Sequence, residues 1–213
     1  MGTEHTDGLG QAWDASLDDV RALYDGWASD YDRDVVDWGY DAPAVVADRL
    51  AGLVASDAIV LDAGCGTGLT GSALASRGFG DVVGIDLSVE ALDVARRRGV
   101  YREVAQVDLG GVLPFDDGAF DAVICCGVLS YVSDLERALT EFLRVARSGG
   151  PVIITQRTDL WIERDNAATL DRMVASGRCA VDISAPQPYL PRHPEFGTEI
   201  LIRYVTLTTT AEA

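Results

Sequence analysis

Residues 60–71 read Val60-Leu-Asp-Ala-Gly-Cys-Gly-Thr-Gly-Leu-Thr-Gly71. The apolar residues at 58–63 predict a short strand, and residues 69–76 predict a helix. Glycines between a strand and a helix let the backbone approach a ligand closely, at the point where the helix begins. The stretch therefore predicts a ligand-binding turn at the carboxyl end of a buried strand.

Strand and helix patterns continue to alternate after this turn. We predict strands at 81–87, 101–108, 120–126 and 151–156, and helices at 89–97, 135–147 and 161–176. Such alternation predicts an α/β fold, in which a doubly wound parallel sheet is covered by helices on both faces. Two final strands, at 179–184 and 198–207, have no helix between them, so we expect them to pair antiparallel at one edge.

Two helix starts carry capping signals. Ser88 directly precedes the helix at 89–97, and Ser133 with Glu136 has the spacing of a capping box before the helix at 135–147. A serine hydroxyl in that position accepts a hydrogen bond from an otherwise unpaired backbone N–H. We therefore expect Ser88 and Ser133 to begin these two helices.

The charge balance disfavours one class of partner. Asp and Glu number 34 against 17 basic residues, all of them Arg, so the formal net charge is −17. A surface this acidic repels phosphate backbones, and we predict no nucleic-acid partner. No apolar run approaches the ~18 residues of a membrane span, and the first residues lack the pattern of a signal peptide. We therefore expect no membrane association and a cytoplasmic location.

The possible metal ligands are few. The chain has four cysteines, none in a Cys-x-x-Cys pair, and two histidines. Zinc sites combine several such ligands at short spacings. We expect reduced cysteines and no metal site.

Three aspartates follow three successive predicted strands: Asp62, Asp86 and Asp108. In a parallel sheet the carboxyl ends of the strands share one edge, so we expect these side chains to surround one pocket. Asp62 would repel a pyrophosphate, on the order of several kcal/mol at an effective dielectric of about 20, and attract an ammonium or sulfonium. Asp86 suits two ribose hydroxyls, because one carboxylate can accept both hydrogen bonds, and Asp108 suits an adenine amino group. Together they predict a site for a cationic nucleoside.

The same glycines leave a second interpretation open. Gly66-x-Gly68-x-x-Gly71, with Asp86 at the spacing of a ribose-binding acid, also fits the fingerprint of NAD(P)-dependent oxidoreductases. The charge of Asp62 disfavours this alternative, as does the lack of any lysine for a Tyr-x-x-x-Lys pair. A further alternative is a nucleoside-binding module without catalysis, because a fold alone does not fix the chemistry.

Four segments together resemble the class I S-adenosylmethionine-dependent methyltransferases in order and spacing. They are Leu61-Asp-Ala-Gly-Cys-Gly-Thr-Gly68, Gly84-Ile-Asp-Leu-Ser88, Asp108-Leu109 and Phe120-Asp-Ala-Val-Ile124. The resemblance runs from about Tyr24 to Ile154 and implies a Rossmann-like, mostly parallel sheet of seven strands with the last strand antiparallel. It also implies S-adenosyl-L-methionine as cofactor and S-adenosyl-L-homocysteine as product.

A narrower similarity lies within that superfamily. Tyr24-Asp-Gly-Trp-Ala-Ser-Asp-Tyr-Asp32, Thr67-Gly-Leu-Thr-Gly71 and Arg77-Gly-Phe79 are similar to segments of the Williams–Beuren-region methyltransferase-like proteins. This similarity implies no particular substrate.

The resemblance also implies which residues contact the cofactor. The turn would cradle its methionine part, the strand-end acids would hold ribose and adenine, and lid tyrosines would close over it. The implied residues are Tyr24, Tyr31, Asp62, Ala63, Gly64, Cys65, Gly66, Gly68, Asp86, Leu87, Asp108, Leu109, Cys125 and Cys126.

A sulfonium methyl is already a strong electrophile, so orientation of the acceptor can supply much of the rate. We expect in-line transfer to nitrogen, oxygen or carbon of a small molecule, with a base needed only for a protonated amine or a hydroxyl. The base candidates are Tyr131, His193, Asp30 and Asp32. Acceptor contacts are expected from Trp27, Ser130, Tyr131 and Arg157.

With 213 residues and no internal repeat, the chain predicts one domain over 1–213. We expect a loose tail at 1–15, an N-terminal helical lid at 16–54 and a Rossmann-like core at 55–213. The oligomeric state is expected to be a monomer or a homodimer.

Overall fold

The computed structural model describes residues 19, 22, 25–27, 30–194, 196–197 and 199–210. A single sheet runs through this part of the chain. Its strands are β1 (Ile59–Ala63), β2 (Asp81–Asp86), β3 (Glu103–Gln106), β4 (Ala122–Cys125), β5 (Pro151–Arg157), β6 (Cys179–Ile183), β7 (Gln187–Pro188) and β8 (Leu201–Thr209).

The strand order is β3-β2-β1-β4-β5-β8-β6, and β7 also pairs with β8. The first five strands are mutually parallel, whereas β8 is antiparallel to β5 and to β6. The predicted doubly wound sheet with an antiparallel last strand is therefore confirmed. The structure adds one strand to the expected seven, because the two residues of β7 pair with Leu201 and Ile202 on the same side of β8 as β6.

The central strands are buried on both faces. Every residue of β4 and β5 is buried, as expected for parallel strands that helices cover on each side. Neighbouring side chains of β1 point to opposite faces of the sheet: Leu61 packs into one hydrophobic cluster and Val60 into the other. Asp62 follows Leu61, so its side chain lies on the face of Val60.

Helices cover both faces of the sheet. They are α1 (Tyr31–Asp37), α2 (Ala42–Ala51), α3 (Leu69–Ala75), α4 (Val89–Arg98), α5 (Leu135–Val145), α6 (Thr158–Glu163) and α7 (Asn166–Ala175), with a 3₁₀ turn at Leu129–Tyr131. The cluster around Leu61 takes its helical residues from α5 and α7, and the cluster around Val60 takes them from α2 and α3. In the described residues, no helix is both long enough and apolar enough to cross a membrane.

The helix predicted at 161–176 is wrong as a single element. It is divided into α6 and α7 at Arg164 and Asp165, and Asp165 has a positive φ of 47°. A left-handed residue interrupts the helical hydrogen-bond pattern, and Asp is one of the few non-glycine residues that tolerate it. The regular apolar spacing on both sides of Asp165 explains why the sequence pattern did not predict the break.

The two predicted caps have different outcomes. The Ser88 hydroxyl accepts a hydrogen bond from the Ala91 backbone N–H at 3.0 Å, which confirms it as the cap of α4. The predicted cap at Ser133 is wrong. The Asp134 carboxylate accepts a hydrogen bond from the Arg137 N–H at 3.0 Å, so Asp134 is the cap and α5 begins at Leu135. A carboxylate at this position also interacts favourably with the positive end of the helix dipole.

This correction gives a stability prediction. We expect Asp134→Ala to lower the free energy of unfolding by about 1 kcal/mol, because a backbone N–H of the first turn loses its acceptor. Ser133→Ala, the matched control at the neighbouring exposed position, should change it by less than about 0.5 kcal/mol. Urea denaturation of the two variants measures both values, and a larger loss in Ser133→Ala would contradict the assignment.

Candidate functional site

A cleft opens at the carboxyl ends of β1 to β4. Its volume is about 1060 Å³ when the open space at its mouth is included. The described residues that line it are Tyr31, Tyr40, Pro43, Gly64, Cys65, Gly66, Thr67, Leu69, Thr70, Asp86, Leu87, Ser88, Ala91, Val107, Asp108, Leu109, Cys126, Gly127, Val128, Tyr131 and Val132. Asp86 and Asp108 are the two charged members of this set.

The glycine-rich turn after β1 forms the floor of the cleft. The backbone N–H groups of Gly64 and Cys65 both donate to the Ile85 carbonyl oxygen, at 2.7 and 2.9 Å, so the turn is tied to β2. Gly64 has a φ of +80°, and a Cβ atom there would lie 2.4 Å from Cγ2 of Val128. Glycine is required at this position by both backbone conformation and space.

Asp86 ends β2 beside this turn. Its two carboxylate oxygens accept hydrogen bonds from the Gly66 N–H at 2.8 Å and from the Ser88 N–H at 2.9 Å. Burial raises the pKa of Asp86, while these backbone hydrogen bonds favour the ionised form. Each oxygen keeps a second lone pair, so the fixed carboxylate can accept a pair of neighbouring hydroxyls from a ligand.

Asp108 and Leu109 follow β3 and also line the cleft. Asp108 is exposed, and its carboxylate accepts a hydrogen bond from the Gly110 N–H at 2.8 Å. Leu109 is buried, and with Leu87 and Val107 it gives this part of the cleft an apolar surface. The combination suits a flat heteroaromatic ring with a polar edge.

Asp62 lies beneath the turn and does not line the cleft. Its side chain is fully buried, and Oδ2 accepts a hydrogen bond from the Tyr101 hydroxyl at 2.8 Å. Burial raises the pKa of Asp62 to about 7, Tyr101 lowers it and the charge of Asp86 raises it. Ala63 and Gly68, also expected at the cofactor, are absent from the described cleft lining as well.

Two adjacent cysteines lie at the end of β4, and one of them lines the cleft. Cys126 lines the cleft, with its Sγ 3.5 Å from the Tyr40 hydroxyl, whereas Cys125 packs in the core on the other face of the sheet. Burial raises the pKa of Cys126 to about 12 and that of Cys125 well above its usual range. Both side chains are therefore neutral thiols near neutral pH.

The N-terminal segment contacts residues of the cleft lining. Asp32 of α1 accepts a hydrogen bond from the Thr67 hydroxyl at 2.5 Å and forms an ion pair with Arg98 at the end of α4. Asp25 accepts a hydrogen bond from the hydroxyl of Ser88, at the start of the same helix. Tyr31 lines the cleft, and Tyr24 lies outside the described residues.

The acceptor and base candidates separate into two groups. Tyr131, in the 3₁₀ turn, lines the cleft. His193 is buried in another place: its Nδ1 accepts from the Phe196 N–H at 3.2 Å, and its ring lies between Trp38 and Phe196. Asp32 is paired as described above, and the other acid candidate, Asp30, forms an ion pair with Arg33.

The remaining acceptor candidates are buried and do not belong to the described cleft lining. Trp27 is fully buried, and its indole N–H donates to Asp34 at 2.9 Å. Ser130 is buried in the 3₁₀ turn, and Arg157 is buried in an ion pair with Asp159 at 2.5 Å. None of these three is among the described residues that line the cleft.

Several cleft residues were not predicted from the sequence. Tyr40 lies just before α2, and Pro43 lies in its first turn. Tyr101, beneath the turn, was not predicted either. The glycine at position 71 was a weak signal for Tyr101, because a Cβ atom there would lie 2.3 Å from Cζ of the Tyr101 ring. No local pattern marks Tyr40, because its contact with Cys126 spans 86 residues of sequence.

No three His, Cys, Asp or Glu side chains of the described residues are grouped so that they could hold a metal ion. The four cysteines are buried and free of disulfides. The cleft is therefore characterised by backbone donors, two carboxylates and aromatic side chains.

Comparison with known proteins identifies relatives over the same region. A family model described as a methyltransferase domain matches residues 61–154. Methyltransferase-like protein 27 from Homo sapiens is 38% identical over 162 residues, which are 73% of this chain and 66% of the relative. Demethylmenaquinone methyltransferase from Thermobifida fusca is 35% identical over 165 residues, 75% of this chain and 67% of the relative.

A solved structure has the same fold. A TehB-like SAM-dependent methyltransferase from Corynebacterium glutamicum superposes with a TM-score of 0.64 at 22% identity, covering 89% of this chain and 99% of that one. The chain spans about two thirds of the length of the two sequence relatives above. Because the relative from Thermobifida fusca is 35% identical over two thirds of its own length, and the family match runs from β1 into β5, the chain belongs to the class I S-adenosylmethionine-dependent methyltransferases.

Proposed function

We propose that this protein transfers the methyl group of S-adenosylmethionine to a small-molecule acceptor. The observation that carries the proposal is the division of one cleft into two parts. One part has the glycine turn, Asp86 and an apolar surface for a nucleoside, and the other is lined by aromatic and aliphatic side chains. Bound S-adenosylmethionine supplies an electrophilic methyl that a nitrogen, oxygen or carbon lone pair takes in line as the carbon–sulfur bond breaks.

The donor set of the first part fits this cofactor. Asp86 is held by backbone N–H groups with lone pairs left for ribose hydroxyls, and Leu87 and Leu109 offer an apolar surface to adenine. Beneath the turn, one oxygen of Asp62 is buried without a hydrogen-bond partner in the described part of the chain. A cationic ligand above it would compensate this charge, directly or through a bridging water.

The second part of the cleft supports a restricted choice of acceptor. Its described lining, Tyr31, Tyr40, Cys126, Val128 and Tyr131, contains no charged side chain. An acceptor with a carboxylate or phosphate would lose its hydration here without a cationic partner. We therefore propose an uncharged or cationic acceptor with an apolar or aromatic body. The net charge of −17 would attract a cationic acceptor.

Orientation is the main contribution that these side chains offer to the reaction. Burial raises the pKa of Tyr31 and of Tyr40 well above the usual range for tyrosine, so both remain phenols rather than bases. We propose that the acceptor brings its own nucleophile and that the protein excludes water and aligns it. Tyr131 is the one base candidate from the sequence that lines the cleft, and its role stays a prediction.

The wider organisation remains part of the proposal. A single domain with a lid over 16–54, a monomeric or homodimeric state, a cytoplasmic location and the lack of nucleic-acid or membrane partners are predictions. The contacts of Asp32 with Thr67 and of Asp25 with Ser88, both in the cleft lining, support the lid. Four buried free thiols support a reducing compartment.

Ligand titration and product analysis test the proposed function. We expect calorimetry to detect binding of S-adenosylmethionine and none of NAD. Incubation with S-adenosylmethionine and fractions of a metabolite extract should accumulate S-adenosylhomocysteine with the neutral or cationic fractions and not with the anionic one. Binding of NAD alone would establish the oxidoreductase alternative. Cofactor binding without product in any fraction would favour the non-catalytic alternative.

Asp86→Asn provides a direct test of the cofactor site. An amide has one oxygen, so its NH₂ group would face the N–H of Gly66 or Ser88, and one ribose contact would also be lost. We expect the Kd for S-adenosylmethionine to rise about 10- to 100-fold. Asp57→Asn, at an exposed position outside the cleft, should leave the Kd unchanged in the same calorimetric assay. An unchanged Kd in Asp86→Asn would contradict this cofactor position.

The ion pair between Asp32 and Arg98 gives a prediction for the lid. Arg98→Gln removes the charge that holds α1 to the end of α4, so bound cofactor should dissociate about three- to tenfold faster. Arg96→Gln is the matched control, because Arg96 lies in the same helical turn and pairs with the exposed Asp93. Stopped-flow displacement measures both dissociation rates, and equal rates would argue against a lid closed by this pair.

A further inference from the structure

A buried carboxylate beneath the cleft has a partner for one of its two oxygens. Asp62 is fully buried on β1, and its Oδ2 accepts the hydroxyl hydrogen of Tyr101 at 2.8 Å. Its Oδ1 is also buried and has no hydrogen-bond partner among the described residues. An unsatisfied buried carboxylate oxygen is unfavourable, so its persistence suggests a partner that arrives with the ligand.

The first N–H groups of the glycine turn above Asp62 have other acceptors. The N–H groups of Gly64 and Cys65 donate to the Ile85 carbonyl, and the N–H of Gly66 donates to Asp86. Gly64 and Cys65, two and three residues after Asp62 in the chain, nevertheless line the cleft. A cation bound over this turn would therefore compensate the charge of Oδ1.

Tyr101 is fixed at the same place by a second hydrogen bond. Its hydroxyl oxygen accepts from the Gly71 N–H in the first turn of α3, at 3.1 Å. Its ring occupies the space that a side chain at position 71 would need, since a Cβ atom on Gly71 would lie 2.3 Å from Cζ of Tyr101. With its one hydroxyl hydrogen committed to Asp62, Tyr101 connects the buried acid to the helix that follows the turn.

We propose that Tyr101 is a positioning residue of the cofactor site, which holds one oxygen of Asp62 so that the other remains available to the cationic methionine part of the cofactor. The inference rests on the proposed function. It assigns a role to a residue outside the sequence motifs, 39 positions from its partner.

The protonation of Asp62 gives this arrangement a measurable signature. The groups that act on it are Tyr101 and Asp86, with the neutral thiols of Cys65, Cys125 and Cys126 close by. The pKa of Asp62 is raised by burial to about 7, and the Tyr101 hydrogen bond opposes that rise. Cofactor affinity should therefore increase as the pH rises towards 7 and Asp62 ionises. Loss of the hydrogen bond should move this increase to higher pH.

Calorimetric titration with S-adenosylmethionine between pH 5.5 and 7.5 tests the role of Tyr101. Tyr101→Phe keeps the ring and removes the hydroxyl, and we expect it to raise the Kd about tenfold at pH 7 and to displace the pH dependence upwards. Tyr204→Phe is the matched control, because Tyr204 is a buried tyrosine of β8 outside the cleft lining. It should retain both the Kd and the pH dependence of the wild-type protein.

The effect of Tyr101→Phe in the Asp62→Asn variant distinguishes a positioning role of Tyr101 from a general structural one. In Asp62→Asn the pH dependence should disappear, and adding Tyr101→Phe should then change the Kd less than twofold, because the two residues act as one unit. An equal loss from Tyr101→Phe with and without Asp62 would overturn the proposal, as would a wild-type Kd and pH profile in Tyr101→Phe alone. Failure of the wild-type protein to bind S-adenosylmethionine at any pH would overturn the proposed function, and this inference with it.

Discussion

The hydrogen bond from the Gly66 backbone to the Asp86 carboxylate connects the first two strand–helix units of the sheet. It requires a close approach of the glycine-rich turn after β1 to an acid at the end of β2, and it places both at one edge of the sheet. The hydrogen bonds from Gly64 and Cys65 to Ile85 strengthen the same connection. The cleft exists because these contacts fix the turn while leaving its outer surface open to a ligand.

The parts predicted from sequence are those governed by local patterns. The glycine turn, the strand-end acid Asp86 and the alternation of strands and helices depend on neighbouring residues, and the cap at Ser88 does as well. Tyr40 and Tyr101 were missed because they reach Cys126 and Asp62 across 86 and 39 residues, and no periodicity encodes such contacts. The same limitation applies to the break at Asp165, where a left-handed residue interrupts an otherwise regular helical pattern.

Residue type alone was a poor guide to the role of several polar side chains. His193 and Arg157 carry the chemistry expected of a base and of an anion-binding residue, yet burial and partners commit them elsewhere: His193 to Trp38 and Phe196, and Arg157 to Asp159. The aromatic part of the cleft instead combines Tyr31 and Tyr40 from the N-terminal segment with Tyr131 from the turn after β4. Selectivity for the acceptor would thus arise where the N-terminal segment meets the turn after β4.

The two open borders of the sheet have a consequence for self-association. Glu103 lies exposed on β3 at one border, and Asp182 lies exposed on β6 at the other. A second molecule that added its own border strand there would bring carboxylates together in a protein that already carries an excess of negative charge. Intermolecular sheet extension, the first step towards fibrils, is therefore opposed by the sequence of these strands.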